Sequence, residues 1–195
     1  FKKGLIYRGL KPVYWSPSSR TALAEAELEY NDAHVSKAIY LAFAVKKLGN
    51  SASSLGNYKN LHAVIWTTTP WTIPANVAIS IHPELEYSIA EDANTGRHFI
   101  VASSRLQALQ TIVGSELIVK ETVAGKVLVG TDCVHPLIPE QLSPILGGTH
   151  VTADSGTGLV HTAPAHGFDD FLVCRHNGIS ALNCYVDDKG RFTDA

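Results

Sequence analysis

Two short stretches of this chain hold side chains whose types and spacing could do chemistry. The first is Trp66-Thr67-Thr68-Thr69-Pro70-Trp71-Thr72-Ile73-Pro74-Ala75-Asn76. Three consecutive threonines at a strand end, stiffened by Pro70, present hydroxyls and backbone N–H groups in a fixed turn. Such a turn can hold a ribose hydroxyl, a carbonyl or a water, or it can bond only to itself. No base neighbours these hydroxyls in sequence, so a threonine nucleophile has little support. The second stretch is Gly156-Thr157-Gly158-Leu159-Val160-His161-Thr162-Ala163-Pro164-Ala165-His166-Gly167-Phe168-Asp169-Asp170. Glycines bracket a strand that ends near His161, and a Pro/Gly loop follows. Asp169 and Asp170 then open a helix, where carboxylates complement the helix dipole. Taken singly, either Asp could be an N-cap and His161 a satisfied core histidine. Together, the strand, the loop and the helix start converge on one pocket rim.

Two other patterns compete for a chemical reading. Asp154-Ser155-Gly156-Thr157-Gly158 matches the active-site tripeptide of aspartic proteases. Those enzymes need two such aspartates sharing a proton, and the chain has one copy, which excludes the monomeric proteases. Cys133 with His135, Cys174 with His176, and His161 with His166 offer zinc-type ligands. The first two pairs have a spacing unlike the usual zinc sites, and only His161/His166 comes close, so no metal is assigned.

These residues must be positioned by a chain of 195 residues that is 45% hydrophobic and 17% charged. Such a chain can build one ordinary domain with a core. A net charge of −2 argues against a dedicated nucleic-acid binder held by a basic face. The basic start, Lys2, Lys3, Arg8 and Lys11, reads as a solvated rim. Three cysteines are too few for a disulfide-stapled module and suit reduced thiols. No apolar run is long enough for a membrane-spanning helix. With Phe1 first and no Met anywhere, the expectation is one domain, residues 1–195, excised from a longer protein.

Periodicity and punctuation then place the elements. Leu5 to Arg8 and Val13 to Trp15 read as short strands, Thr21 as the cap of a helix reaching Leu28, and Ser36 to Val45 as a strand. Gly49 to Asn60 reads as a mobile loop. Ala63 to Thr67, Asn76 to Ile81, Leu85 to Ala90 and His98 to Ala102 read as strands. Ser103 or Ser104 would cap a helix closed by Gly114. Leu117 to Val119 and Val127 to Val129 read as a strand pair around Gly125. Leu159 to His161 is a strand, Asp169 to His176 a helix, and Tyr185 to Phe192 a hairpin. The sum is an α+β, β-rich domain with a β-barrel-like core and flanking short helices.

Pro12 to Tyr30, the threonine peptide and the Gly156 to Asp170 block occur in an order and spacing that resemble the editing (connective peptide) domain of isoleucyl-tRNA synthetase. Thr69-Pro70-Trp71-Thr72 favours the isoleucine type over the valine and leucine types, which share the fold. The resemblance implies that Thr67, Thr68, Thr69, Trp71 and Thr72 line the editing pocket, and that Asn76 bears on specificity. It implies further that His161 bounds the amino-acid side chain and Asp170 binds the α-ammonium. Ala165 and Phe168 depart from the Gly and Pro common in that loop. The implied activity is hydrolysis of mischarged valyl-tRNA(Ile), with valyl-adenylate left open as a second substrate. A tRNA-acceptor-end binding module without hydrolysis is the alternative. The implied partners are the aminoacylated 3′ end of tRNA(Ile), its valine moiety and the remainder of the parent synthetase, with no membrane. No cofactor is implied for editing, whereas the parent enzyme uses ATP and magnesium. The His161 to Gly167 form resembles the bacterial and mitochondrial branch. His135-Pro136-Leu137-Ile138-Pro139 with Ser143-Pro144 leans to the mitochondrial matrix, with the bacterial cytoplasm as the alternative.

Overall fold

The computed structural model describes residues 2–7, 9–180 and 182–193. In chain order the strands are β1 (Tyr14–Ser16), β2 (Thr21–Leu23), β3 (Ile39–Lys47), β4 (Leu61–Thr67), β5 (Ala78–Ile81), β6 (Glu86–Asp92) and β7 (His98–Ala102). Helix α1 (Leu106–Val113) is followed by β8 (Leu117–Ala124), the single-turn helix α2 (Gly125–Leu128), β9 (Asp132–Val134), β10 (Leu142–Gly147), β11 (Leu159–Thr162) and α3 (Phe168–His176). One nine-stranded sheet runs β11-β5-β10-β9-β3-β4-β7-β6-β8, and β1 pairs with β2 as a separate hairpin. The sheet is mixed: β10 with β5 and β4 with β7 are parallel, and the remaining pairs are antiparallel.

The sheet curls so that its edge strand β11 packs back against β4. Phe43, Ile65, Ile79, Ile89, Ile145 and Leu159 fill the interior this creates. Two glycines make the return possible. Gly156 and Gly158 have φ of +65° and +76°, and a Cβ there would meet Trp66 at 2.8 Å and Ala102 at 2.4 Å. Only a residue without a side chain takes that backbone and lets it approach so closely. Ala102 N–H donates to the Thr157 carbonyl (2.8 Å), and the buried Tyr87 hydroxyl donates to the Gly158 carbonyl (2.7 Å). The start of β11 is therefore tied to β6 and β7, and its C-terminal end delivers His161 beside β5.

The β-rich expectation holds, and several local expectations are corrected. Thr21 does not cap a helix: Thr21–Leu23 pairs antiparallel with Tyr14–Ser16, and only Glu25–Glu27 forms a 3-10 turn. Helix propensity in Ala22 to Leu28 gives way to strand pairing across the Pro17–Arg20 turn. Leu5 to Tyr7 form no strand, and Phe1 and Arg8 lie outside the described residues. The Gly49 to Asn60 stretch is not a loose insertion, because Asn50–Asn57 winds as a 3-10 helix that buries Ala52 and Leu55. Val127 is helical rather than strand, and β8 pairs with β6. Ser103 bonds to Ser88 instead of capping α1, whereas Gly114 closes that helix with φ of +73°. Val186 and Phe192 make the expected bridge of the last hairpin.

Candidate active site

The threonine peptide leaves β4 and turns through a 3-10 helix, Pro70–Ala75, before β5. Pro70 at its first position already has the required φ and needs no N–H partner. The Thr67 hydroxyl folds into this turn, accepting the Thr69 N–H (3.1 Å) and pairing with the Thr69 hydroxyl (3.2 Å). Thr68 and Thr69 are exposed, and among the described residues the Thr68 side chain makes no hydrogen bond. Trp71 is 48% exposed and meets His166 edge-on, with ring centroids 5.2 Å apart.

His161, Thr72 and Asn76, 6%, 4% and 0% exposed, form one buried network. His161 Nε2 lies 2.7 Å from Thr72 Oγ1, and its Nδ1 lies 2.8 Å from Asn76 Nδ2. Donor arithmetic fixes the tautomer. The single Thr72 hydroxyl proton goes to the Thr69 carbonyl (2.8 Å), so Thr72 can only accept from His161. Asn76 Nδ2 also donates to the Ala78 carbonyl (2.8 Å), so it is the amide nitrogen that faces Nδ1. His161 is therefore neutral with its proton on Nε2. Burial, aided by His135 and His166, pushes its pKa down to about 4. With both nitrogens committed it offers a rigid wall and no base.

Asp170 sits in the first turn of α3. Gly167, not an aspartate, is the N-cap, and no side chain caps the helix. Asp170 Oδ2 instead turns back to accept the Ala163 N–H (3.0 Å), two residues beyond His161. A Cβ on Gly167 would come within 2.7 Å of that oxygen, so the small residue gives the carboxylate its space. Oδ1 makes no hydrogen bond within the described residues, and it is not among the buried unpartnered atoms. It is the open acceptor of the site. Burial raises the Asp170 pKa, opposed by the Ala163 N–H and by His150. His150 Nε2 is itself buried without a partner.

The structure thus brings Thr72, Asn76 and His161 into direct contact and ties Asp170 to the same strand end. Thr67 and Thr69 stiffen the facing turn, and Trp71 stands on its rim. A groove of about 780 Å³ opens beside Trp71 and His166, lined also by Trp15, Val186 and Phe192. Of the metal alternatives, His135 has both ring nitrogens occupied. It donates from Nε2 to the Ile73 carbonyl (3.0 Å) and accepts two backbone N–H groups at Nδ1. Cys133 is fully buried in the core. Among the described residues no group of three His, Cys, Asp or Glu could hold a metal ion.

Sequence reasoning missed His150, Gln141 and Ser143. Gln141 and Ser143 donate to the Asn76 carbonyl and side-chain oxygen, from more than sixty positions away. No local signal could have found them, since β10 reaches Asn76 only through its parallel pairing with β5.

Residues 1–149 match the family model described as tRNA synthetases class I (I, L, M and V). The isoleucine–tRNA ligase of Synechococcus sp. is 52% identical over 194 residues, covering 99% of this chain and 20% of that protein. The mitochondrial isoleucine–tRNA ligase of Gallus gallus is 44% identical, covering 100% of this chain and 20% of that protein. The chain spans about a fifth of the length of these curated relatives. Among solved structures, the cytosolic leucyl-tRNA synthetase editing domain of P. knowlesi aligns with a TM-score of 0.56 at 13% identity, over 77% of this chain and 68% of that one. The P. falciparum counterpart aligns at 0.53 and 15%, over 69% and 56%. At such identity the likeness establishes the fold, and it is the fold that the sequence motifs implied. No helix among the described residues is long and apolar enough to cross a membrane.

Proposed function

Because this chain belongs to the class I tRNA synthetase family (I, L, M and V), we propose that its site hydrolyses valine mistakenly esterified to tRNA(Ile). One methylene is worth only about 1–3 kcal/mol in an apolar pocket, a general figure of which isoleucine against valine is the standing example rather than a result of this structure. A synthetic site therefore admits valine too often, and a second, smaller pocket can remove it. His161 supplies the wall of that pocket, because a residue held at both nitrogens cannot swing aside for a longer side chain. The substrate's ammonium group binds the open Oδ1 of Asp170, and the terminal adenosine lies toward Trp71. The threonine turn orients a water against the ester carbonyl. Attack forms the tetrahedral adduct, and its collapse releases free valine and returns a proton to the ribose oxygen. An aminoacyl ester is reactive enough for positioning to supply much of the acceleration. Valyl-adenylate carries the same ammonium and acyl carbon and is a second substrate of this reading.

The observation that carries the proposal is the Asp170 carboxylate, with one oxygen tied to a backbone N–H and the other left open. Editing in this reading uses no cofactor of its own, while ATP and magnesium serve the synthetic reaction of the parent enzyme. The tRNA body would be gripped by that parent, since a net charge of −2 gives this chain little field of its own. The His135–Pro139 form favours the mitochondrial matrix, and the bacterial relatives keep the bacterial cytoplasm as the alternative.

Deacylation of valyl-tRNA(Ile) tests the assignment. The unsubstituted chain releases valine, and Asp170→Ala does so at least about a hundredfold more slowly while unfolding at a similar temperature. Undiminished activity in that variant would overturn the reading. Binding without hydrolysis in the unsubstituted chain would leave a module that holds the acceptor end.

A further inference from the structure

The buried network around His161 does not end at Asn76. Asn76 Oδ1 accepts a hydrogen bond from the Ser143 hydroxyl on β10 (2.6 Å), and Ser143 is fully buried. Donor directions can be followed from there without a break. Ser143 O–H donates to Asn76 Oδ1, and Asn76 Nδ2 donates to His161 Nδ1 (2.8 Å). His161 Nε2–H donates to Thr72 Oγ1 (2.7 Å), and Thr72 O–H donates to the Thr69 carbonyl (2.8 Å). Every link points the same way, from β10 through Asn76 at the end of the Pro70–Ala75 helix and His161 on β11 to the threonine turn. Chains of that kind polarise one another in a low-dielectric interior.

We infer that Ser143 is a positioning residue for amino-acid specificity, acting by holding this relay in one direction. The inference rests on the proposed hydrolysis only for its functional half. The competing arrangement is the relay reversed. In that state the Asn76 amide is turned over and its oxygen accepts from His161 Nδ1–H. The Thr72 hydroxyl then donates to Nε2 and releases the Thr69 carbonyl. The Thr69 carbonyl then keeps only the Thr72 backbone N–H (3.0 Å), and the His161 wall loses its single register. Two contacts oppose the reversal. The Ala78 carbonyl faces the Asn76 amide and accepts only a donor (2.8 Å). Ser143 is the second: in the forward state its hydroxyl proton goes to Asn76 Oδ1, whereas against a turned amide its oxygen would accept and its buried proton would have no acceptor among the described residues. Removing that hydroxyl leaves Asn76 Oδ1 without its bond and narrows the gap between the two states.

Nitrogen-15 histidine spectra of the 195-residue chain read the relay directly. In the unsubstituted protein His161 shows the pattern of an Nε2–H neutral ring, with Nδ1 at an unprotonated shift. Ser143→Ala introduces an Nδ1–H population or exchange broadening at His161, and Ser143→Thr, which keeps the hydroxyl, restores the single form. In deacylation assays the preference for valyl- over isoleucyl-tRNA(Ile), as a ratio of kcat/KM, falls about tenfold in Ser143→Ala and recovers in Ser143→Thr. An unchanged His161 spectrum in Ser143→Ala overturns the inference and leaves Ser143 with a packing role, whatever its unfolding temperature. An Nδ1–H ring in the unsubstituted protein overturns it as well. If the unsubstituted chain hydrolyses neither ester, the proposed function fails, and the spectra still decide whether the relay exists.

Discussion

The wall built on His161 and the wall built on Asp170 differ in how much of their bonding capacity the fold consumes. At His161 every polar atom is spoken for, and the ring sits 6% exposed among Thr72 and Asn76. At Asp170 one carboxylate oxygen is anchored by Ala163 and the other is left open. Burial depresses the first group and raises the second, so in both cases it disfavours the charged form. The consequence for function is opposite. A histidine kept neutral serves as shape, whereas a carboxylate kept short of partners is poised to gain one. In the proposed reaction an incoming ammonium would restore what desolvation took from it.

The largest expected effect follows from the open carboxylate. In the proposed reaction Asp170 must be ionised to bind the ammonium, and its pKa in the free protein is raised by burial above the ordinary carboxylate value. Deacylation kcat/KM, which reports the free enzyme, should therefore decline on acidification from a higher pH than an ordinary aspartate would give. Asp170→Asn should lower kcat/KM by about a hundredfold or more and abolish that acid limb. A limb that persists in Asp170→Asn would assign the titration to another group.

The locked wall gives the next effect. His161→Ala removes the ring without supplying a new charge, so the pocket gains room for a longer side chain. Hydrolysis of isoleucyl-tRNA(Ile) should rise relative to valyl-tRNA(Ile) by about tenfold or more. Steady-state comparison of the two esters checks this, with a melting curve to confirm that the variant is folded. An unchanged ratio would remove His161 from specificity, while leaving the Asp170 wall untouched.

How much of this contrast could be read in advance depends on distance along the chain. The Gly156 to Asp170 block is local: strand, loop and helix follow one another, and the glycines and aspartates mark the joints. Asp170 was legible there, although the reading of an aspartate as the cap of α3 gives way to Gly167 as the cap. The threonine turn was legible for the same reason, since Pro70 and Pro74 bracket it. The bonding state of His161 was not. It depends on Asn76, Thr72 and Ser143, which reach it through sheet pairings that no local window contains. The helix expected at Thr21 failed for a related reason, because the partner strand Tyr14–Ser16 overrides propensity. Burial of Leu55 likewise replaced a mobile loop with an anchored 3-10 helix, a contact with distant residues.

The smallest effect contrasts the two walls through stability alone, with no substrate present. The His161 pKa lies at about 4 in the folded chain against an ordinary 6.5. Between these values the unfolded chain binds a proton there and the folded chain does not, so this group makes stability rise with pH across that window. Its contribution is complete above about 6.5 and is lost as pH falls toward 4. Asp170 has the opposite sign. Its folded pKa is raised above the ordinary 3.8, so the folded chain holds the extra proton, and stability falls as pH rises through the folded value. The two slopes oppose each other just above the ordinary carboxylate range. Asp170→Asn should therefore steepen the rise of melting temperature with pH there, and His161→Asn should flatten it. The flattening is partial, because His135 and His166 are also lowered by burial and add slopes of the same sign as His161. Melting temperatures across the acid range measure both. Parallel curves for the two variants would mean that the walls do not differ in the way their hydrogen bonds imply.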